Sequence, residues 1–262
     1  MSPAGYPSLV VIGAMRSGTT SFHSLLGRHP QIFMSPIKGP GLFLDPREPI
    51  DYPSKYRSTH EKRRRLSDAE LLAAMREGWQ GERHFGESTD LYSRYPVAGG
   101  GVPRKMLRCN PEIRLLYLLR HPVERLLSQF RFERAKPYHP APRSLGAYLD
   151  SAADPIGASR YASQLRRFLA SGFRRERIHV LVFEELLAAP QRELARITDF
   201  LRIDAWPRGA ATTLPHLNAS PPCDTAATPA ELERLRKELD PEVRALETAV
   251  GRRIAAWDLA PG

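Results

Sequence analysis

The sequence predicts an α/β fold, a central parallel sheet flanked by helices, and three observations carry that reading. Short runs rich in Val, Ile and Leu alternate with longer segments of helical period. The runs are nearly continuous in apolar residues, as in strands buried on both faces. The first run enters a glycine-bounded loop and then a helix, the P-loop-like succession of strand, turn and helix.

Each element follows in order. Residues 8–12 form the first strand, and "TTSFHSLLGRHP" puts Phe22, Leu25 and Leu26 on one helical face before Gly27 and Pro30 end it. "QIFMS" is a short second strand; residues 36–53 are rich in Pro and Gly and irregular. Ser67 and Glu70 make a capping box at the start of the helix "AELLAAMREGW". "HFGEST" is a strand ending in polar groups, and "EIRLLYLLR" is the clearest buried strand. Pro122 opens the helix "VERLLSQFRFER", at a position where proline costs little. Residues 136–160 read as irregular, "YASQLRRFLASG" as an amphipathic helix ended by Gly172, "RIHVLVFEEL" as a strand and "QRELARITDFLRI" as a helix. "LPHLNASPPCDTAATP" is a loop, and "AELERLRKEL" and "PEVRALETAVG" are two C-terminal helices. One domain spans residues 1–262, with no internal repeat and no low-complexity tail.

The chain carries 39 basic and 29 acidic residues, a formal net charge of +10. Arginine dominates the basic set and suits bidentate recognition of anions. That excess fits an anionic ligand, and it fits equally a solvated basic surface. No helix-turn-helix or aromatic-interleaved basic motif supports a nucleic-acid partner. Cys109 and Cys223 stand apart, without metal-type neighbours, and make neither a disulfide framework nor a zinc site. The N-terminal segment lacks a basic n-region, and no apolar run reaches the ~20 residues of a membrane span. The expectation is a soluble, cytoplasmic protein.

The chemistry begins at "VVIGAMRSGTT", residues 10–20. Backbone N–H groups converge at such a strand-to-helix turn, and the helix dipole favours an anion. Ser17, Thr19 and Thr20 add hydroxyl donors beside Gly18, and Arg16 adds a full charge. A nucleotide-dependent kinase is the alternative, but it needs a lysine after Gly18 and a carboxylate at the end of a neighbouring strand to organise Mg²⁺. Thr19 stands in the lysine's place, and "LLYLLR" ends in Arg120. Arg120 at a strand end and Ser128 two turns into the next helix fit a second anion site at the sheet's C-terminal edge.

"GAMRSGTTSFHSLLGRHPQI", "IRLLYLLRHPVERLLSQF" and the Tyr161 region resemble sulfotransferases that use 3′-phosphoadenosine 5′-phosphosulfate (PAPS), and most closely the bacterial, Golgi glycan-type branch. The likeness continues through "RRERIHVLVFEELLAAPQREL" to "AVGRRIAAW". It implies in-line, metal-independent transfer of a sulfuryl group to a hydroxyl or amine of a glycan, lipid or small molecule, leaving adenosine 3′,5′-bisphosphate (PAP). Arg16 to Thr20 would hold the 5′-phosphosulfate, with Arg16 facing the bridging oxygen where negative charge develops. Arg120 and Ser128 would hold the 3′-phosphate, Tyr161 the nucleotide region, and "HLNAS", with Asn218 and Ser220, the closing loop.

The likeness breaks at the base. Relatives often carry K/Q-E-x-x-F-F where this chain has "KGPGLF", so Gly39 replaces a glutamate. They also carry E-K-[ST]-P-x-Y where this chain has "ESTDLY", so Ser88 replaces a lysine and Asp90 a proline. Asp90 is the first candidate for the base and Glu87 the second. His84 or His121 is another source, and a PAPS- or PAP-binding protein impaired by Gly39 is a third reading. Segments 36–66 and 136–160 are expected to frame the acceptor pocket, with "EKRRR" at 61–65 either a contact for an acidic acceptor or a solvated turn.

Overall fold

The computed structural model describes residues 5–47, 66–135, 144–151, 154–207, 209, 212–215 and 227–258. Five parallel strands stand in the order β2-β3-β1-β4-β5. They are β1 (Leu9–Gly13), β2 (Ile32–Met34), β3 (His84–Ser88), β4 (Arg114–Leu119) and β5 (Ile178–Val182). The chain builds β2 and β3 on one side of β1 and β4 and β5 on the other. The sheet therefore changes direction beside β1, and the crevice at its C-terminal end is the ligand position of open α/β sheets.

Strand alternation sends Val10, Ile12, Leu115 and Tyr117 to one face and Leu9, Val11, Leu116 and Leu118 to the other. The second face is covered by α1 (Thr19–Leu26) and α8 (Pro190–Leu201), through Phe22, Leu25, Leu194 and Ile197. The first face is covered by α2 (Asp68–Met75), α3 (Val102–Cys109) and α6 (Tyr161–Ala170), through Met75, Met106, Leu165 and Phe168. A third cluster joins α4 (Pro122–Arg134), α5 (Leu145–Leu149) and α9 (Pro229–Val250). Each fully buried Leu or Phe here contributes about 1.5–3 kcal/mol of transfer free energy. Among the described residues no helix is long and apolar enough to cross a membrane.

The five expected strands are present, with three differences in detail. "FEEL" leaves the sheet as helix α7 (Phe183–Ala188). β4 stops at Leu119, opposite Val182, so the chain beyond has no strand to pair with, and Glu184 and Glu185 suit the first turn of a helix. The two C-terminal helices are one, α9, with Pro241 inside. Pro241 and Lys237 are both exposed, so water replaces the donor that the proline removes. A capping box at Thr228 and Glu231, with Leu235, Leu239 and Leu246 buried, carries the helix through. Residues 136–160 are not wholly irregular, since α5 and a 3₁₀ turn at Gly157–Ser159 lie within them.

Candidate active site

The loop after β1 is shaped by two close approaches. At Gly13 (φ 144°) a Cβ would lie 2.1 Å from Ser93 Oγ, and at Gly18 (φ 84°) one would lie 2.7 Å from the Phe183 ring. Only glycine fits either place. Ala14 N–H donates to Leu118 C=O at 2.6 Å and Ser17 N–H to Ala14 C=O at 3.1 Å, which folds the loop over the end of β4. Gly18 is the N-cap of α1, so the first N–H groups of that helix open at the loop without intrahelical partners. Ser17 is fully buried, and its hydroxyl stands beside the Tyr161 hydroxyl. Helix N–H groups without intrahelical partners or a side-chain cap are what an anion would satisfy.

On the α4 side, Arg16 Nε donates to Ser128 Oγ at 3.3 Å, and its guanidinium lies 4.2 Å from the Phe132 ring centroid. The two anion sites expected to be separate are thus joined by Arg16, whose charge is directed toward α4. Arg120 pairs with Glu124 at 3.3 Å and lies 5.9 Å from the Phe183 ring. Tyr161, expected to touch the nucleotide, is 1% exposed, and its hydroxyl donates to the Arg120 carbonyl at 2.9 Å. Burial raises that hydroxyl's pKa, so Tyr161 is a neutral strut that fixes the turn presenting Arg120. The same turn is held by Glu184, which accepts from the His121 N–H at 2.8 Å and from Trp257 Nε1 at 3.0 Å.

On the β3 side, Asp90 Oδ1 accepts from Thr19 Oγ1 at 2.8 Å and from Lys38 Nζ at 3.3 Å. Both contacts fall on one oxygen. Oδ2 has no partner among the described residues, and the side chain keeps 14% exposure. Beneath this pair, alternate N–H groups of the preceding loop bind the tail of β3. Gly39 N–H donates to Ser88 C=O at 2.8 Å, Gly41 N–H to Thr89 Oγ1 at 3.2 Å and Phe43 N–H to Tyr92 Oη at 3.2 Å.

Glu87, the second candidate base, is fully buried and accepts from Thr89 Oγ1 at 2.9 Å. Burial raises its pKa to about 7, against the lowering effect of Tyr92 and Thr89. With no exposure it anchors the β3 tail and does not reach an acceptor. His23 on α1 is lowered to about 4, by burial first and then by Lys38. Its Nε2 lies 3.1 Å from the Ser35 carbonyl, which accepts only, so that nitrogen carries the proton and Nδ1 accepts from Ser88 Oγ at 2.9 Å. The two histidines offered as another source of the base are misplaced for it. His84 begins β3, at the opposite end from Asp90, and its ring is bound to Ser8 and Leu201. His121 packs on Trp257 behind the Arg120 turn.

The structure therefore brings together Arg16 with Ser128, Thr19 with Asp90, and Tyr161 with Arg120. Thr20 lies partly exposed on the first turn of α1. Asn218, Ser220 and the basic turn at 61–65 lie outside the described residues. The sequence reading missed three residues, Lys38, His23 and Phe183. A signal existed for Lys38: the chain uses six lysines among 39 basic residues, and one beside the loop marks a point charge rather than a fork.

A family model described as "Sulfotransferase domain" matches residues 7–218. The chain belongs to that family. A crystal structure of a sulfotransferase from Alicyclobacillus acidocaldarius is similar at TM-score 0.76 and 24% identity, over 97% of this chain and 99% of that one. The sulfotransferase domain from the curacin biosynthetic pathway aligns at TM-score 0.53 and 14% identity, over 90% of this chain and 99% of that one. Sulfotransferase STF1 from Mycobacterium tuberculosis H37Rv aligns at TM-score 0.51 and 14% identity, over 91% of this chain and 77% of that one. At these identities the likeness shows a shared fold.

Proposed function

We propose that this chain transfers a sulfuryl group from PAPS to a hydroxyl or amine of a small-molecule or glycan acceptor, with Asp90 as general base. The observation that carries the proposal is the Lys38–Asp90–Thr19 junction at the lip of the phosphate loop. The residues present fit the donor. The N–H groups of Gly18, Thr19 and Thr20 suit one phosphate, and Arg120, Ser128 and Arg16 suit another. Bound PAPS supplies an activated sulfuryl group on a phosphate that leaves with added negative charge.

The chain's own residues do the rest. Asp90 Oδ2 takes the acceptor proton. Once Asp90 is neutral, the ion pair has lost its anion, and Lys38 carries an unbalanced positive charge beside the loop. Proton transfer thereby switches on the cation that stabilises the leaving group. Thr19 Oγ1 fixes the carboxylate against the loop, and His23, through Ser88, holds the β3 tail that bears it. Arg16, turned to Ser128, serves the second phosphate. The described part of segment 36–66, residues 36–47, borders Asp90 and forms one wall of the acceptor pocket.

Thermal-shift titration separates this reading from its rivals. PAPS and PAP should each raise Tm without added metal, by mass action. A rise with ATP and Mg²⁺ and none with PAP would return the chain to the kinase reading. Stabilisation by PAP with no acceptor turned over would leave a binding protein.

A further inference from the structure

Charge gathers a second time away from the strand ends. Among the described residues β5 pairs with β4 alone, so its outer side is an edge of the sheet. A cavity of about 380 Å³ opens there between β5, α8 and the turn after α9, and its polar lining is Arg175, His179, Glu193, Arg196, Asp199 and Arg252. Glu193, Arg196 and Asp199 recur every third residue, which puts them on one face of α8. None of these residues belongs to the donor site.

His179 is the centre of the argument. One face of its ring stacks on Phe200, with centroids 5.1 Å apart and 26° between planes. Its Nε2 is buried and meets no hydrogen-bond partner among the described residues. Burial lowers the imidazole pKa to about 4; Glu193 opposes this, and Arg175, Arg196 and Arg252 reinforce it. The ring is therefore neutral, with one N–H to donate and a surplus of guanidinium charge around it.

That surplus has a structural origin. Arg175 donates through Nε to the Ala249 carbonyl at 3.3 Å and through Nη1 to the Ile178 carbonyl, and neither partner carries charge. Its carboxylate neighbour, Glu176, is itself paired with Arg174 at 3.5 Å. Arg192 and Arg196 share one carboxylate, Glu193, at 3.0 and 2.9 Å. Arg252 is balanced by Glu185, with both contacts at 2.7 Å. Asp199 offsets only part of what remains. A polar cavity with a neutral imidazole in its wall and three guanidiniums against two carboxylates in its lining is complementary to an oxyanion, and planar guanidinium forks match its oxygens.

We propose that this cavity is a second anion site, which binds a tetrahedral dianion of the phosphate or sulfate type between His179 Nε2–H and the guanidiniums of Arg175 and Arg196. The dianion is either a free inorganic ion or the phosphate of a nucleotide. The proposal does not depend on the identity of the group held at the loop after β1.

The test follows the His179 imidazole by heteronuclear NMR of the full chain, with its resonance assigned by His179→Gln. Titration with inorganic phosphate at constant ionic strength should move that resonance saturably. Arg196→Gln and Arg175→Gln should each weaken the Kd by about tenfold or more. A resonance that does not move in the wild-type chain overturns the proposal, and so does a Kd unchanged in both variants. Should Arg196→Gln not fold, Arg175→Gln carries the same comparison, because it leaves the Glu193 pair intact. A parallel titration with adenosine 5′-monophosphate distinguishes the sources. Saturation at lower concentration than phosphate assigns a nucleotide, and saturation at equal or higher concentration assigns the free ion.

Discussion

Replacing Asp90 by Asn tests the centre of the mechanism with little disturbance of the fold. The amide keeps an oxygen for the Thr19 hydroxyl, now at 2.8 Å, and it loses the negative charge that Lys38 meets at 3.3 Å. The lost ion pair is partly exposed, at 27% for Lys38 and 14% for Asp90, so stability should fall by no more than about 1 kcal/mol. Turnover should fall much further. A positioned base contributes about 10²–10⁴-fold, or roughly 3–5 kcal/mol of the barrier. Affinity for PAP should hold or tighten, since a carboxylate beside an anion site disfavours the ligand. The assay is release of PAP in the presence of an acceptor that the wild-type chain sulfates, followed by chromatography, with PAP affinity measured by calorimetry. If Asp90→Asn turns over within about threefold of wild type, well short of the loss expected of a base, Asp90 is not the base. If turnover and PAP affinity fall together, the residue builds the loop and the charge-switch argument is wrong.

Lys38→Met should lower kcat by about 10²-fold with PAP affinity changed much less, as expected of a cation that acts on developing charge; a loss confined to KM would contradict this. Arg120→Ala should raise the Kd for PAP by about ten- to a hundredfold and Ser128→Ala by a few-fold, both measured by calorimetry. Gly39→Glu meets no atom within 4 Å but takes φ 73°, so it should cost about 1 kcal/mol in urea unfolding without restoring activity to the Asp90→Asn variant. Two buried groups tilt stability in opposite senses with pH. Glu87, raised to about 7, costs stability as pH climbs from 4.5 to about 7, an effect on the order of 3 kcal/mol, and Glu87→Gln should remove that slope. His23, lowered to about 4, costs stability as pH falls from 6.5 toward 4, and His23→Gln should flatten that limb of the urea midpoint.

Much of the architecture was legible because it rests on local pattern. Apolar runs gave four of the five strands, "HFGEST" gave the fifth as a strand ending in polar groups, and Ser67–Glu70 gave a helix start that the structure reproduces, capping box included. The misreadings have tertiary causes. Nothing local in "LVFEEL" says that β4 has already ended at Leu119, and nothing local at Pro241 says that its helix face meets solvent. The site divides the same way. The loop residues were legible because a strand, Gly18 and hydroxyls in succession form one local object. The structural part Tyr161 plays was not legible, because its sequence shows a tyrosine and not the Arg120 carbonyl that its hydroxyl binds. The Arg16–Ser128 contact spans 112 residues and has no local signature.

The base problem looks different once the loop pairing is known. In the sequence, Gly39 and Ser88 read as two losses, a carboxylate and a lysine. In the structure they face each other through backbone, with Gly39 N–H on Ser88 C=O at 2.8 Å. The N–H groups of residues 39, 41 and 43 all turn to the β3 tail, and Gly39 and Gly41, at φ 73° and 68°, bend the loop so that its backbone laces onto that tail. One step before 39 is Lys38, and two steps after 88 is Asp90, and these meet at 3.3 Å across the same gap. A carboxylate and an ammonium therefore still stand together beside the phosphate loop, each donated by the segment that the resemblance assigns to the other. The Ser88 hydroxyl, released from a lysine's role, binds His23 and steadies the tail that carries Asp90. Chemistry of this kind depends on where the charges stand and not on which strand supplies them, so a chain that lacks both expected residues retains the pair.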